Sequence, residues 1–278
     1  QSSYQGLIGE GLKVYEGRDE YSLGIALSDR LMRNTIEYED MVLRDSDVVL
    51  VVSENLYQEK RTKNSNTHLI PPGVDFDMFN RAANEDLAPP EDIADIRPPR
   101  LGFTGRLNGL VDFKLINYLA DTHPEWSTVL IGGMIGLENS EEYKSSLSRP
   151  NVHHLGFREY EMLPAYLQHM DVCLLPHDVN HEWLKYANSK KTLEYLATGK
   201  PVVSTDTPFV RSLPDAVSIA NAHEDFARLV QEVLGNYSRD SVEHGINLSE
   251  QNTWDQRASQ VCRVINETFL TITTRNIA

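Results

Sequence analysis

The chain has 278 residues, and its 26 lysines and arginines against 41 aspartates and glutamates give a formal net charge of −15. This acidity excludes a general binder of nucleic-acid phosphates, which needs a cationic surface. Hydrophobic residues make up 40% of the chain and charged residues 24%, which is typical of a folded protein of about two domains. The sequence contains neither an apolar run of about 18 residues nor the residue order of a signal peptide, so we expect a cytoplasmic protein.

Short apolar runs alternate with amphipathic stretches along the whole chain, a pattern typical of parallel strands joined by helices. The predicted strands are residues 12–15, 48–52, 68–70, 100–104, 127–131, 152–155, 172–175, 202–204 and 216–219. The predicted helices are residues 25–44, 111–120, 140–148, 160–169, 189–198, 223–234 and 254–271. The fold class predicted from this alternation is α/β.

Residues 79–100 are rich in proline and acidic residues and are predicted to form a linker without regular structure. The strands and helices after the linker suffice for a complete doubly wound domain. Those before it are too few to cover both faces of a parallel sheet, so we expect an incomplete N-terminal domain whose first part lies upstream of Gln1. The predicted domains are residues 1–90, 91–252 and a last helix over 253–278.

The densest polar motif surrounds the predicted helix 189–198, which follows the strand 172–175. Its N-terminus, with Asn188 or Ser189 as a good N-cap, lies at the carboxyl edge of the sheet, where open α/β sheets bind ligands. The amides of the first turn and Lys191 favour an anion there, and Glu194 can accept hydrogen bonds from a diol such as a ribose. These residues fit a nucleotide, although the spacing alone favours a surface ion pair between Lys191 and Glu194.

Residues 194–203, EYLATGKPVV, closely resemble a signature of the group 1 (family 4 type) glycosyltransferases. Four other segments resemble family blocks in the family's order: IPPGVDFDMF at 70–79, LGFTGR at 101–106, NVHHLG at 151–156 and LPAYL at 163–167. The resemblance covers most of the chain. It implies a GT-B fold of two Rossmann-like doubly wound domains, the N-terminal one incomplete, with the last helix crossing back to that domain.

The resemblance also implies transfer of a sugar from a nucleoside diphosphate sugar to a hydroxyl of a glycan or lipid-linked glycan, with retention of configuration, in polysaccharide biosynthesis. No metal and no other cofactor is implied. Peripheral association with the inner face of a membrane stays open. So do two other functions: a nucleotide-sugar epimerase of the same fold, and a nucleotide-binding fragment without turnover.

By resemblance, Glu194 holds the ribose hydroxyls, and Arg106 stabilises the departing diphosphate with help from Lys191, so Arg106 and Lys191 are the predicted catalytic residues. A family glutamate is replaced by Tyr186, and Glu182 is a candidate substitute. Sugar contact by His177 stays open. The predicted donor-binding residues are Gly105, Arg106, Phe157, Arg158, His181, Glu182, Ser189, Lys191 and Glu194, with Phe157 and Arg158 assigned to the nucleobase.

Overall fold

The computed structural model describes residues 11–23, 29–213 and 215–277. Nine strands lie in this part of the chain: β1 (Val14–Gly17), β2 (Val48–Val51), β3 (Thr67–Leu69), β4 (Arg100–Thr104), β5 (Ser127–Ile131), β6 (Val152–Gly156), β7 (Val172–Leu175), β8 (Val202–Thr205) and β9 (Ser218–Ala220). Its α-helices are α1 (Asp29–Asp45), α2 (Glu54–Lys60), α3 (Phe76–Asn84), α4 (Phe113–Thr122), α5 (Glu141–Leu147), α6 (Leu163–Gln168), α7 (Lys190–Ala197), α8 (Pro208–Arg211), α9 (His223–Gly235), α10 (Arg239–Glu250) and α11 (Trp254–Ile277).

The chain divides into two compact units. The smaller unit comprises the residues up to Gly73, residues 185–188 and the residues from Trp254 onward. The larger unit comprises residues 74–184 and 189–253. The division at Gly73 lies upstream of the predicted domain end at residue 90, because α3 packs against α6 and α7 of the larger unit.

The smaller unit contains a parallel sheet of three strands in the order β1-β2-β3. The central strand β2 is buried along its whole length, and Leu43 of α1 and Leu56 of α2 pack against it. Residues 185–188 join this unit: Tyr186 packs on the same apolar cluster, and the Asn188 amide donates to the Val52 carbonyl at 2.9 Å. The position of the family glutamate therefore holds a packing residue.

The larger unit contains a parallel sheet of six strands in the order β6-β5-β4-β7-β8-β9. The strand order reverses between β4 and β7, which pair at Leu101 with Val172. Apolar clusters cover both faces of the sheet, which explains why β7 is an uninterrupted apolar run and why all five residues of β5 are buried. The predicted doubly wound domain is confirmed.

The prediction that residues 79–100 lack regular structure is wrong for their first part, because α3 extends to Asn84. Asp75 begins this helix, since its Oδ1 accepts a hydrogen bond from the Met78 amide at 3.3 Å. Phe79 and Ala82 are buried on its inner face. Burial of this face stabilises α3, although the nearby prolines and acidic residues predicted a segment without regular structure. The first residues of the predicted helix 25–44 lie outside the described residues.

Candidate functional site

The C-terminal ends of β4 and β7 lie side by side at the point where the strand order reverses. Ligands of open α/β sheets bind at this kind of position. Gly105 and Arg106 directly follow β4, and His177 follows β7 after one proline. Several of the predicted residues therefore lie together at one edge of the sheet of the larger unit.

Gly105 makes room for the side chain of Lys191. Its φ is +134°, and a Cβ built on it would lie 2.0 Å from Lys191 Cε and 2.9 Å from Nζ. Gly132, which follows β5, has a φ of +149°, and a Cβ there would lie 1.9 Å from the Gly105 carbonyl oxygen. Both positions require glycine, because the backbone conformation disfavours a side chain and no space is left for one. The predicted proximity of Gly105, Arg106 and Lys191 is present in the structure.

Lys191 lies in the first turn of α7, where the helix dipole is positive, and its Nζ lies 5.9 Å from the centroid of the Phe103 ring. Burial is the main cause that lowers the pKa of Lys191. The charges of Lys190 and Arg106 lower it further, and Glu194 opposes them. Arg106 is exposed, and its side chain forms no hydrogen bond or ion pair with any other described residue. The positive charges of Lys191 and Arg106 repel each other, and together with the helix dipole they favour binding of an anion between them.

His177 adds buried polar atoms that have no partner. Neither Nδ1 nor Nε2 forms a hydrogen bond with the described residues, and the same holds for Ser189 Oγ and Thr192 Oγ1 at the start of α7. Burial and the nearby charge of Lys191 lower the pKa of His177 to about 4, and the Leu110 backbone, which lies nearby without forming a hydrogen bond to either ring nitrogen, opposes the shift. Buried polar groups in folded proteins are normally hydrogen-bonded. Several such groups around α7 therefore indicate a place where a polar ligand binds.

Glu194 lies one turn further along α7 and is only 2% exposed. Its Oε1 accepts a hydrogen bond from the Tyr160 hydroxyl at 2.7 Å and lies 2.9 Å from Lys190 Nζ. The ion-pair partner of Glu194 is thus Lys190, so the alternative of a surface pair with Lys191 is wrong. The i, i+4 spacing of Lys190 and Glu194 could have suggested this pair, whereas nothing in the local sequence pointed to Tyr160.

Phe157 and Arg158 follow β6, two strands away from β4. The Arg158 guanidinium forms an ion pair with Asp92 and donates from Nε to the Tyr166 hydroxyl at 2.8 Å. Phe157 is 65% exposed. No described contact joins these two side chains to Arg106 or Lys191, so their assignment to the nucleobase stays a prediction.

His181 and Glu182 are exposed at the start of a 3₁₀ turn. The Nδ1 atom of His181 lies 3.3 Å from the Trp183 amide nitrogen and accepts its hydrogen bond. Sugar contact by these two residues also stays a prediction. The predicted donor-binding residues include His181 and leave His177 open, although the position of His177 at the carboxyl end of a buried strand was a signal for it.

Within the described ranges, no group of three or more His, Cys, Asp or Glu side chains is arranged to hold a metal ion. None of the helices in these ranges combines the length and the apolar character that crossing a membrane requires.

A family model described as Glycosyl transferases group 1 matches residues 98–236, which include all six strands of the larger unit. Among curated proteins, the chain is similar to TuaH of Bacillus subtilis (strain 168), a glycosyltransferase whose name assigns it provisionally to teichuronic acid biosynthesis. The two sequences are 24% identical over 265 residues, which cover 90% of this chain and 66% of TuaH. The chain thus spans about two thirds of the length of that relative.

Two solved structures show the same architecture. HepE of Anabaena, solved in complex with UDP and glucose, gives a TM-score of 0.70 at 16% identity and matches 91% of this chain and 71% of HepE. Sucrose-phosphate synthase of Thermosynechococcus elongatus gives a TM-score of 0.69 at 18% identity and matches 93% of this chain and 68% of the synthase. At these identities the likeness concerns the fold alone, and it confirms the predicted α/β GT-B fold.

Proposed function

The chain belongs to the group 1 glycosyltransferases, and from this membership we propose that its larger unit binds a nucleoside diphosphate sugar and that the enzyme transfers the sugar to an acceptor hydroxyl. One observation carries the proposal: Arg106, Lys191 and the unpartnered nitrogens of His177 converge at the end of β4 and β7. Such a cationic cluster with unused hydrogen-bonding capacity suits a diphosphate.

In this function Arg106 and Lys191 bind the diphosphate and neutralise the charge that grows on it as the bond to the sugar breaks. The planar guanidinium of Arg106 is suited to two phosphate oxygens at once. Lys191 is held against Gly105 in a largely dehydrated place, where a charge acts more strongly than in water. Ser189 and the first amides of α7 complete the anion site.

We propose a uridine diphosphate sugar as the donor. Two structural neighbours support this choice, because HepE was solved with UDP-glucose and an Escherichia coli trehalose-6-phosphate protein with UDP-2-fluoro glucose. The proposed acceptor is a glycan or lipid-linked glycan, which agrees with the polysaccharide in the name of TuaH. Retention of configuration and action at the cytoplasmic side of a membrane complete the proposal.

Calorimetric titration with UDP, GDP and ADP tests the nucleotide site. We expect UDP to bind with a Kd below roughly 1 mM, which corresponds to about 4 kcal/mol. The variant that combines Arg106→Ala with Lys191→Met should lose this binding and keep its melting temperature. A wild-type chain that binds none of the three nucleotides at millimolar concentration contradicts the proposal.

A turnover assay separates transfer from the two alternative functions. The chain is incubated with UDP-sugars, with and without oligosaccharide acceptors, and both the released UDP and the sugar are analysed. Release of UDP that depends on the acceptor supports transfer. Release of an altered sugar without an acceptor identifies an epimerase, and tight UDP binding without either reaction identifies a binding fragment.

A further inference from the structure

The carboxylate of Glu194 is held through one of its two oxygens. Both the Tyr160 hydroxyl and Lys190 Nζ contact Oε1, at 2.7 Å and 2.9 Å. Oε2 has no hydrogen bond or ion pair with the described residues, and it is not one of the fully buried atoms that lack a partner. Oε2 therefore keeps some accessible surface, although the side chain as a whole is only 3% exposed.

Tyr160 and Lys190 also hold each other in place. Lys190 Nζ lies 4.2 Å from the centroid of the Tyr160 ring, which is a cation–π contact. The Tyr160 ring also packs edge-to-face with Phe79, with the ring centroids 5.4 Å apart. Burial, followed by the negative charge of Glu194, raises the pKa of Tyr160. The tyrosine therefore keeps its proton, and its hydroxyl donates a hydrogen bond to the carboxylate.

The ion pair between Lys190 and Glu194 is poorly arranged for stabilising the helix itself. Lys190 is the first residue of α7, at the positive end of the helix dipole and beside the charge of Lys191. A pair that supports a helix works better with the glutamate N-terminal to the lysine, which is the reverse of the order found here. Holding the Glu194 carboxylate accounts for this lysine better than helix stability does.

We propose that Tyr160 and Lys190 are positioning residues that bind Oε1 of Glu194 and direct Oε2 to the hydroxyls of the donor's ribose. This inference rests on the proposed function and deepens it. A ribose offers two neighbouring hydroxyl donors, and a carboxylate oxygen fixed in place can accept from both. The site should therefore select ribonucleoside diphosphates over their 2′-deoxy forms.

The test is calorimetric titration of the 278-residue chain with UDP and with 2′-deoxy-UDP. We expect the wild type to prefer UDP by about tenfold, the value of one hydrogen bond to a charged group. Tyr160→Phe keeps the ring and its packing on Phe79 but should reduce the preference to roughly two- or threefold. Lys190→Gln should also reduce the preference for UDP over 2′-deoxy-UDP. Adding Tyr160→Phe to Glu194→Ala should change the preference no further, because the tyrosine acts through the glutamate.

Ser249→Ala is the matched control for a purely structural effect. Ser249 Oγ donates to the Leu193 carbonyl at 2.9 Å and so supports α7 without touching Glu194. This variant should melt at a lower temperature and keep the wild-type preference for UDP. A Tyr160→Phe variant that loses affinity equally for both nucleotides would show a structural role and overturn the inference.

The two titrations distinguish a failure of this inference from a failure of the proposed function. A wild type that binds UDP and 2′-deoxy-UDP equally well overturns the role of Tyr160 and Lys190 and leaves the nucleotide site intact. A wild type that binds neither nucleotide contradicts the nucleotide site itself. If Tyr160→Phe does not fold, Lys190→Gln decides, because the Lys190 side chain is 46% exposed and its replacement should not unfold the chain. An unchanged preference for UDP in that variant overturns the inference.

Discussion

Replacing Gly105 by alanine places a methyl group where Lys191 now lies. The new Cβ would be 2.0 Å from Lys191 Cε, on a backbone with a φ of +134°. The Gly105 amide donates to the Ile131 carbonyl at 2.8 Å, which ties this backbone to the sheet. The long lysine side chain is the more flexible partner, so we expect it to be displaced from the site.

The backbone strain should cost about 1 to 3 kcal/mol of folding free energy. In a domain of this size each kcal/mol corresponds to roughly 2 to 4 °C in the melting temperature. The displaced Lys191 no longer meets the diphosphate, and a lost hydrogen bond to a charged group is worth about 1.5 to 3 kcal/mol. The affinity for UDP should therefore fall roughly ten- to a hundredfold.

Calorimetry with UDP and a thermal melt of the same sample measure the two effects. Gly109→Ala is the matched control on the same loop, since nothing lies within 4 Å of a Cβ built on Gly109. This variant should bind UDP like the wild type. The reasoning is refuted if Gly105→Ala binds UDP as tightly as the wild type, or if both alanine variants are weakened alike.

Three further predictions concern other groups of the site. Arg106→Ala should weaken UDP binding roughly tenfold and leave the melting temperature unchanged, because the side chain is exposed; titration at low and high salt should show a smaller salt dependence. Glu194→Ala should cost roughly 1.5 to 3 kcal/mol of UDP binding while circular dichroism shows intact helices, and an unchanged affinity would contradict its role. His177 has a folded-state pKa of about 4 against an ordinary value of 6.5, so the unfolded chain binds the extra proton and folding stability should fall by about 3 kcal/mol as the pH drops from 6.5 to 4. Urea denaturation at several pH values should show that His177→Phe loses this part of the pH dependence, and an unchanged slope would contradict the shifted pKa.

Local sequence patterns were sufficient for the strands of the larger unit. Strands β4, β5 and β7 begin and end at the predicted residues, 100–104, 127–131 and 172–175. The reason is physical: a parallel strand covered on both faces is mainly apolar, and a mainly apolar run between polar loops can be recognised locally. The same applies to α7, whose ends differ from the prediction by one residue.

Helices α3 and α10 were not predicted, because tertiary packing rather than local pattern holds them. Phe79 on α3 is buried within the larger unit, against residues that are distant from it in the sequence. On α10, Gly245 lies so close to α7 that a Cβ would meet Leu196 Cδ2 at 3.0 Å. Packing of this kind outweighs weak intrinsic helix propensity.

For the candidate site, the order of motifs identified the residues that carry charge, namely Arg106, Lys191 and Glu194. Their surroundings depend on the tertiary structure. Tyr160 and Glu194 are separated by 34 positions along the chain and meet through a hydrogen bond. The sequence likewise does not show that Tyr186 packs in the smaller unit or that both ring nitrogens of His177 are buried without a partner. Motif spacing indicates which side chains are candidates for binding a nucleotide. Burial and contacts between distant segments decide the protonation and orientation of these side chains and the partners they already have.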